Sequence, residues 1–462
     1  MSVLDISIII IWLVLILAVG MWAGLRIGIE GFWTNRRLTS TPYLVFTIVA
    51  TQVGGGATIG IVSSSCSDGI GFGLVALVST FTGFLALAFL APKIKKFGDN
   101  VKAITLPEAI GVRYGYSAQL AGSFIILFSY FSLLAGQFLA TGLLFHVWTG
   151  LSLNAALGLA ALGVIAYSAF AGLRGDIITD AVHFWVMSFI FFGLISPLII
   201  LNENVYEILS TLPASKWSPL TFGGYPYVIV GLLLGALIPV VSMEMWMRIY
   251  AAVNTKTARR TYIWSAILIV PFYLFSILVG LLAVNLYPEI SNPDTILINF
   301  IFDYLPRGLL GIGVAGLLAV FISTANTLIV VLGATVYRDI FRKGSAKSSD
   351  SLAVSRITTL IIGIIGLLLA ILIPNLVQLM LNAFFVIAAL FPALIGIVYW
   401  RRATLTGATS SIIAGGVVTV ISLPIIPRQA FLPGLVVTTL TFIIVSMCTK
   451  HSDSESEDIV NL

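Results

Sequence analysis

Charge is what this chain of 462 residues has least of: Asp, Glu, Lys and Arg make up 9% of it, against 59% hydrophobic residues. A soluble domain cannot cover its surface with so few polar groups, so the composition gives an all-α polytopic membrane protein whose constant partner is the lipid bilayer. Cysteine is equally scarce. Two of them, Cys66 and Cys448, provide neither a disulfide framework nor a metal quartet. The three histidines, His146, His183 and His451, form no H-E-x-x-H, and there is no P-loop, so an intramembrane protease or transferase lacks its chemistry. The net charge of +5 comes from basic residues set between apolar runs rather than gathered in a patch, which excludes nucleic acid as a partner. The first apolar run, Val3 to Leu25, is too long for a signal-peptide core and has no basic leader, so it is read as a retained membrane helix.

What is present is a series of apolar runs. Thirteen spans are predicted, at 3–25, 42–62, 72–92, 117–147, 153–172, 178–200, 225–247, 262–286, 307–336, 352–374, 376–400, 406–423 and 432–449. Nearly all of the 24 Lys and Arg then fall on one side of the membrane, with Lys216, Arg307 and Arg428 on the other and Arg356 opening span 10. The positive-inside rule places the N-terminus outside and the C-terminus in the cytoplasm of a cell membrane. Cys66 and Cys448 lie on opposite sides. The segment after span 8, with Asn292, Pro293 and Asp294 before ILINFIFDYL, is too short to span; Asp294 is expected to cap an outer-face helix acting as a lid. The tail HSDSESEDIVNL, 451–462, is acidic and expected to be disordered.

Two spans are interrupted. Span 2 carries Gly54, Gly55 and Gly56, and span 7 carries Pro239 followed by Ser242. Consecutive glycines cost about 1 kcal/mol each relative to Ala in a helix and permit local unwinding, although small residues also serve close helix packing. Breaks at matching positions five helices apart point to an inverted repeat, spans 2 to 6 and 7 to 11, with its site at the bilayer midplane. The domain scheme is 1–41 for an extra helix and loop, 42–204 and 205–404 for the repeats, 405–450 for two further helices, and 451–462 for the tail.

Span 9 holds a polar cluster, Ser323, Thr324, Asn326 and Thr327, in an otherwise apolar helix. A helix from Arg307 to Val336 is about 45 Å long, which puts the cluster near the bilayer centre. Val320, Ser323, Thr324 and Thr327 share one face, presenting hydroxyls and a carbonyl of the kind a sodium ion takes. The alternative is that the hydroxyls bond back to carbonyls of their own helix and only ease packing.

Five stretches carry a resemblance: the span 9 helix, TLPEAIGVRYG at 105–115, YSAFAGLRGDIITD at 167–180, MRIYAAVNTKTARR at 247–260, and VYWRRATLTGA at 398–408. In that order they resemble the sodium:solute symporter family, carriers of proline, pantothenate, sialic acid, sugars and choline. The resemblance implies a LeuT-type fold, a five-plus-five inverted repeat with two discontinuous helices. It also implies a sodium site made by the carbonyls of Ala50, Val53 and Val320 and the hydroxyls of Ser323 and Thr324. Some members bind a second sodium beside an acid on span 6, which maps here onto Asp180 with Ser323, Asn326 and Thr327; Asn326 departs from the Ser of two-sodium members. His183 stands where many members have Gln and is assigned to packing. Asp176, one turn from Asp180 toward the cytoplasm, is read as water-exposed.

For the solute, the residues facing the breaks are Gln52, Gly54, Gly55, Gly56, Ala57 and Thr58 on span 2, Thr80 on span 3, Gln137 on span 4, and Ser242 and Met245 on span 7. Half-helix N-termini favour a carboxylate. The Gly triplet resembles the choline branch, yet no Trp or Tyr flanks Gly54 or occupies Ser242 to begin an aromatic cage. Glu244 and Arg248, four apart, are expected to pair with each other, with a contact between Glu244 and a cationic solute as the alternative. The sequence therefore describes a sodium-coupled importer of a small carboxylate or amino-acid-like solute, working as a monomer. A proton-coupled carrier, a choline-like cation carrier and a membrane solute sensor remain as alternatives.

Overall fold

The computed structural model describes residues 2–24, 35–341 and 352–449. The tail at 451–462 and the basic residues Arg26, Arg342, Lys343, Lys347 and Lys450 used for orientation lie outside them. In chain order the helices are α1 (Val3–Ala23), α2 (Thr41–Gln52), α3 (Gly56–Asp68), α4 (Gly71–Val101), α5 (Leu106–Tyr114), α6 (Tyr116–Thr149), α7 (Leu153–Ala166) and α8 (Gly172–Asn202). There follow α9 (Gly224–Gly235), α10 (Met243–Ala251), α11 (Thr255–Leu286), α12 (Ile296–Tyr304), α13 (Leu310–Phe341), α14 (Leu352–Leu372), α15 (Leu376–Tyr399), α16 (Leu405–Ser422) and α17 (Phe431–Cys448). Among the described residues the only β pairing is an isolated bridge between Thr39 and Ala252.

Nine of these helices are long and apolar enough to cross a bilayer, and α2 with α3 forms a tenth crossing bent by 57°. Shorter apolar helices, α7, α9 and α14, lie at the other positions where spans were expected. The boundary between the fifth and sixth spans differs from expectation. Gly172, at φ 55° and ψ −176°, makes the break, in a left-handed region open to glycine without steric cost. Helix α8 therefore starts well before residue 178, and Asp176 lies inside it.

The apolar window of α13 is wholly buried, whereas those of α1 and α17 are 22% and 28% buried and face outward. A helix with apolar residues all round belongs in the centre of a bundle. Both ends of α13 are fixed to distant parts of the chain through carboxylates. At its start, Asp5 on α1 accepts from the backbone N–H groups of Gly308 at 3.0 Å and Gly311 at 2.9 Å, which would otherwise be unsatisfied at a helix N-terminus. At its end, Asp339 accepts from Thr105 Oγ1 at 2.7 Å and Gln119 Nε2 at 3.0 Å, and Arg338 pairs with Glu108 at 2.8 Å. Thr105 and Glu108 also form a reciprocal capping box that starts α5, so the TLPEAIGVRYG stretch is the bracket for this end of the axis.

The expected lid segment forms a helix, α12, but Asp294 does not cap it. Asn292 Oδ1 accepts from the Asp294 backbone N–H at 3.1 Å and caps the short turn Pro293–Thr295 before α12, while α12 has no side-chain cap of its own. Ile296, Leu297, Ile298, Phe300 and Ile301 are fully buried, so α12 is packed against its neighbours over its apolar face.

Because Asp5 holds two N–H groups of the central helix, Asp5→Ala should lower the stability of the purified protein by about 1–2 kcal/mol, with Asp5→Asn between it and the wild type. Thermal unfolding in detergent reads both; an unchanged midpoint for Asp5→Ala would remove this clasp from the fold's stability.

Candidate ion and solute sites

The ladder of α2 stops at Val53, whose N–H still reaches the Val49 carbonyl at 2.9 Å. The next donors turn elsewhere: Gly55 N–H donates to Gln137 Oε1 at 2.9 Å, and Thr58 Oγ1 closes the far side by donating to the Gly54 carbonyl at 2.9 Å. The carbonyls of Ala50 and Val53 consequently accept no backbone hydrogen bond among the described residues, although both residues are fully buried. Buried carbonyls left this way suit a hard cation, because a sodium ion replaces the missing donor.

Thr324 is brought to this break. Its hydroxyl donates to the Thr51 carbonyl at 2.8 Å and lies 3.3 Å from the Val320 carbonyl. The approach depends on Gly54, since a Cβ there would stand 2.5 Å from Thr324 Oγ1. Ser323, one residue round the helix, instead donates its hydroxyl to Asp180 Oδ1. The residues expected for sodium, Ala50, Val53, Val320, Ser323 and Thr324, are thus all buried at one crossing of α2 and α13, and their oxygens are the neutral hydroxyls and carbonyls that sodium prefers.

Beside this crossing is an ion cluster that differs from expectation in three ways. Asp176, expected in water, is fully buried; it accepts from Asn326 Nδ2 at 2.6 Å and Thr327 Oγ1 at 2.9 Å. The reason is the early start of α8, which carries Asp176 into the bundle. Arg248 does not pair with the Glu244 carboxylate. Its Nη2 is 3.1 Å from Asp176 and 3.4 Å from Asp180, and it lies within hydrogen-bond distance, 2.9 Å, of each of the hydroxyls of Thr47, Thr51 and Thr327, which share its two N–H groups with the carboxylates. Only its Nη1 touches Glu244, at the backbone carbonyl, 3.5 Å away. Two buried carboxylates attract the guanidinium more strongly than one i,i+4 neighbour does. Finally, the set mapped for a second sodium is divided: Ser323 is on Asp180, Asn326 and Thr327 are on Asp176, and the guanidinium lies between. His183 packs beside the Trp12 ring at 5.8 Å, with Nδ1 3.9 Å from Asp180.

A cavity of about 160 Å³ opens against the break. That volume is close to a cavity able to hold a benzene-sized molecule. Of the expected solute residues, Gln52, Gly54, Gly56, Ala57, Thr80, Gln137 and Ser242 line it, together with Thr51 and Thr324 from the ion side. Gly55, Thr58 and Met245 do not. Gly55 faces α6, where a Cβ would meet Ala140 at 2.7 Å; Thr58 is turned back onto the Gly54 carbonyl; Met245 is fully buried and its carbonyl accepts from Tyr262 Oη at 2.7 Å. The expectation that no aromatic cage forms is also revised, because Phe72, Tyr130, Tyr227, Tyr273, Phe385 and Phe431 border the cavity. They come from separate helices, and no local spacing in the sequence links them. Glu244 lines the cavity too, accepting a hydrogen bond from Tyr130 Oη.

A model of the sodium:solute symporter family matches residues 32–415. The chain is 23% identical over 436 residues to the sodium/pantothenate symporter of Escherichia coli K12, covering 87% of this chain and 86% of that one. It is 24% identical over 445 residues to the osmoregulated proline transporter OpuE of Bacillus subtilis 168, with the same shares of 87% and 86%. The fold is similar to that of a Na+-coupled sialic acid symporter solved in a substrate-bound outward-open state, with a TM-score of 0.83 at 17% identity over 97% of this chain and 98% of that one.

Gly54→Ala should push Thr324 away from the break and raise the sodium concentration for half-maximal transport about tenfold, equivalent to ~1.4 kcal/mol; sodium titration of uptake measures it. Arg248→Gln leaves two buried carboxylates without their cation and should destabilise the protein by about 3–5 kcal/mol. Arg248→Lys, which keeps the charge but loses the planar fork, should cost less. Thermal denaturation ranks the two, and a Gln variant as stable as the wild type would deny the cluster its structural part.

Proposed function

The chain belongs to the sodium:solute symporter family, and on that footing we propose that it imports a small organic solute by alternating access, driven by sodium moving down its gradient. The observation that carries this reading is the Thr324 hydroxyl on the Thr51 carbonyl at a broken helix, against a solute-sized cavity. The protein is a transporter, not an enzyme. We read its thirteen apolar segments as spans of a LeuT-type five-plus-five inverted repeat, 42–204 and 205–404, flanked by the helices of 1–41 and 405–450. The N-terminus is then outside and the C-terminus cytoplasmic, with the monomer as the working unit.

Sodium is a transported substrate in this scheme. Held by the carbonyls of Ala50, Val53 and Val320 and the hydroxyls of Ser323 and Thr324, it ties the broken α2–α3 pair to α13. The solute occupies the cavity on the other side of the same break, so each ligand favours the arrangement that the other needs, which is coupling in its thermodynamic sense. We assign one sodium per cycle. Supporting this, Arg248 already supplies a positive charge to Asp180, Asp176 and Thr327, the groups a second ion would use. The half-helix starts at Gly56 and Met243 direct partial positive charge toward the cavity and support a carboxylate on the solute, as in an amino-acid-like compound.

Uptake into proteoliposomes should require an inward sodium gradient and vanish when potassium or choline replaces sodium at fixed pH. Uptake that persists in potassium would end the sodium reading. With one ion, the sodium Hill coefficient of the wild type is near one and stays there in Asn326→Ala, while Thr324→Ala raises the sodium requirement; a coefficient near two would restore the second ion.

A further inference from the structure

We propose that the transported solute carries a positively charged nitrogen and that Glu244 is the side chain that selects for it. This rests on the symport reading above and narrows its solute class to compounds that are amino-acid-like rather than simple acids.

Among the described residues, Glu244 is the only charged one lining the cavity, and no Lys or Arg borders it. It is 7% exposed. Its own helix offers Arg248 one turn away, but that guanidinium is committed to Asp176 and Asp180. Among the described residues the Glu244 carboxylate has no ion-pair partner. The direction of its hydrogen bond matters here. Tyr130 Oη accepts from the Met243 backbone N–H at 2.7 Å, so the tyrosine proton is directed at the Glu244 carboxylate, which is thereby held as an acceptor. A carboxylate kept as an acceptor, buried and facing a cavity, is costly unless something positive arrives to meet it.

Charge in the centre of the bundle points the same way. Asp176, Asp180 and Glu244 face a single guanidinium, Arg248. Asp176 and Asp180 share that guanidinium, while the Glu244 carboxylate is the one beside the cavity. The cavity walls suit such an ion, since Phe72, Tyr227, Tyr273, Phe385 and Phe431 supply aromatic surface of the kind that stabilises alkylammonium groups. A neighbouring cavity is acidic as well. Leu381 borders both this cavity and a second one lined by Asp68 and Asp294, where the one basic residue, Arg428, is 4.0 Å from Asp68. The solute's cationic end then meets Glu244, while a carboxylate, if it has one, is left for the half-helix start beside Gln52 and Gly54.

The test is thermal stabilisation of the purified full-length protein in sodium, using L-proline, glycine betaine and choline as nitrogen cations, propionate as a simple acid and glucose as a neutral solute. At least one cationic probe should raise the unfolding midpoint, with propionate and glucose inert. Glu244→Gln should weaken that probe about tenfold or more while keeping the stabilisation by sodium alone, which shows that the variant is folded and its ion site intact. Tyr130→Phe, which leaves the carboxylate but frees it, should weaken the probe several-fold. Propionate or glucose acting in place of the cationic probes, silence from all three cationic probes, or an unchanged response in Glu244→Gln would each overturn the proposal. Loss of sodium dependence with the cation preference intact would instead strike the symport reading.

Discussion

Four helices meet at one guanidinium. Arg248 on α10 reaches Asp176 and Asp180 on α8, Thr47 and Thr51 on α2, and Thr327 on α13, all of them buried. In a lipid-embedded bundle there is no hydrophobic drive between helices, so such polar contacts and close packing decide which helices lie together. The cluster sets three conditions. It keeps α8 deep enough for Asp180 to meet Ser323. It holds α2 where unwinding exposes carbonyls toward Thr324. And it occupies the only basic group near Glu244 among the described residues, leaving that carboxylate to the cavity.

The two sides of the α2–α3 break therefore have different characters despite being a few ångströms of backbone apart. One side is made of neutral oxygens beside two carboxylates that share one guanidinium, which suits a small hard cation. The other is an aromatic-walled space with a single acid. Because Gly54 lets Thr324 approach on one side while Gly54 and Gly56 border the cavity on the other, a shift of this short segment would change both the Thr324 contact and the cavity wall.

Much of this was legible in the chain. Apolar runs located the helices, the Gly triplet and Ser242 located the breaks, and the Ser323–Thr324 pair on one helix face located the crossing with α2, because each of these is a local pattern. The ion cluster was not. Asp176 looked like a residue at a water interface only because the start of α8 was placed too late, and the true break, Gly172, is one glycine among many. Arg248 and Glu244 have textually ideal spacing for a helical pair, yet pairing is set by which other charges are nearby in space. The aromatic border of the cavity was hidden for the same reason, its rings being contributed singly by distant segments.

The clasp between Asp5 and the start of α13 has a consequence for biosynthesis. Its donors lie 303 and 306 residues farther along the chain, so α1 enters the membrane long before they are made. Asp5 Oδ2 accepts from the hydroxyl and the N–H of Ser2 at 2.6 and 2.9 Å, which gives the carboxylate local partners in the meantime. The other oxygen waits for the central helix. Closure of the bundle around its axis is then a late event in assembly, and α1, which faces lipid along most of its length, is the strut that receives α13 when it is inserted.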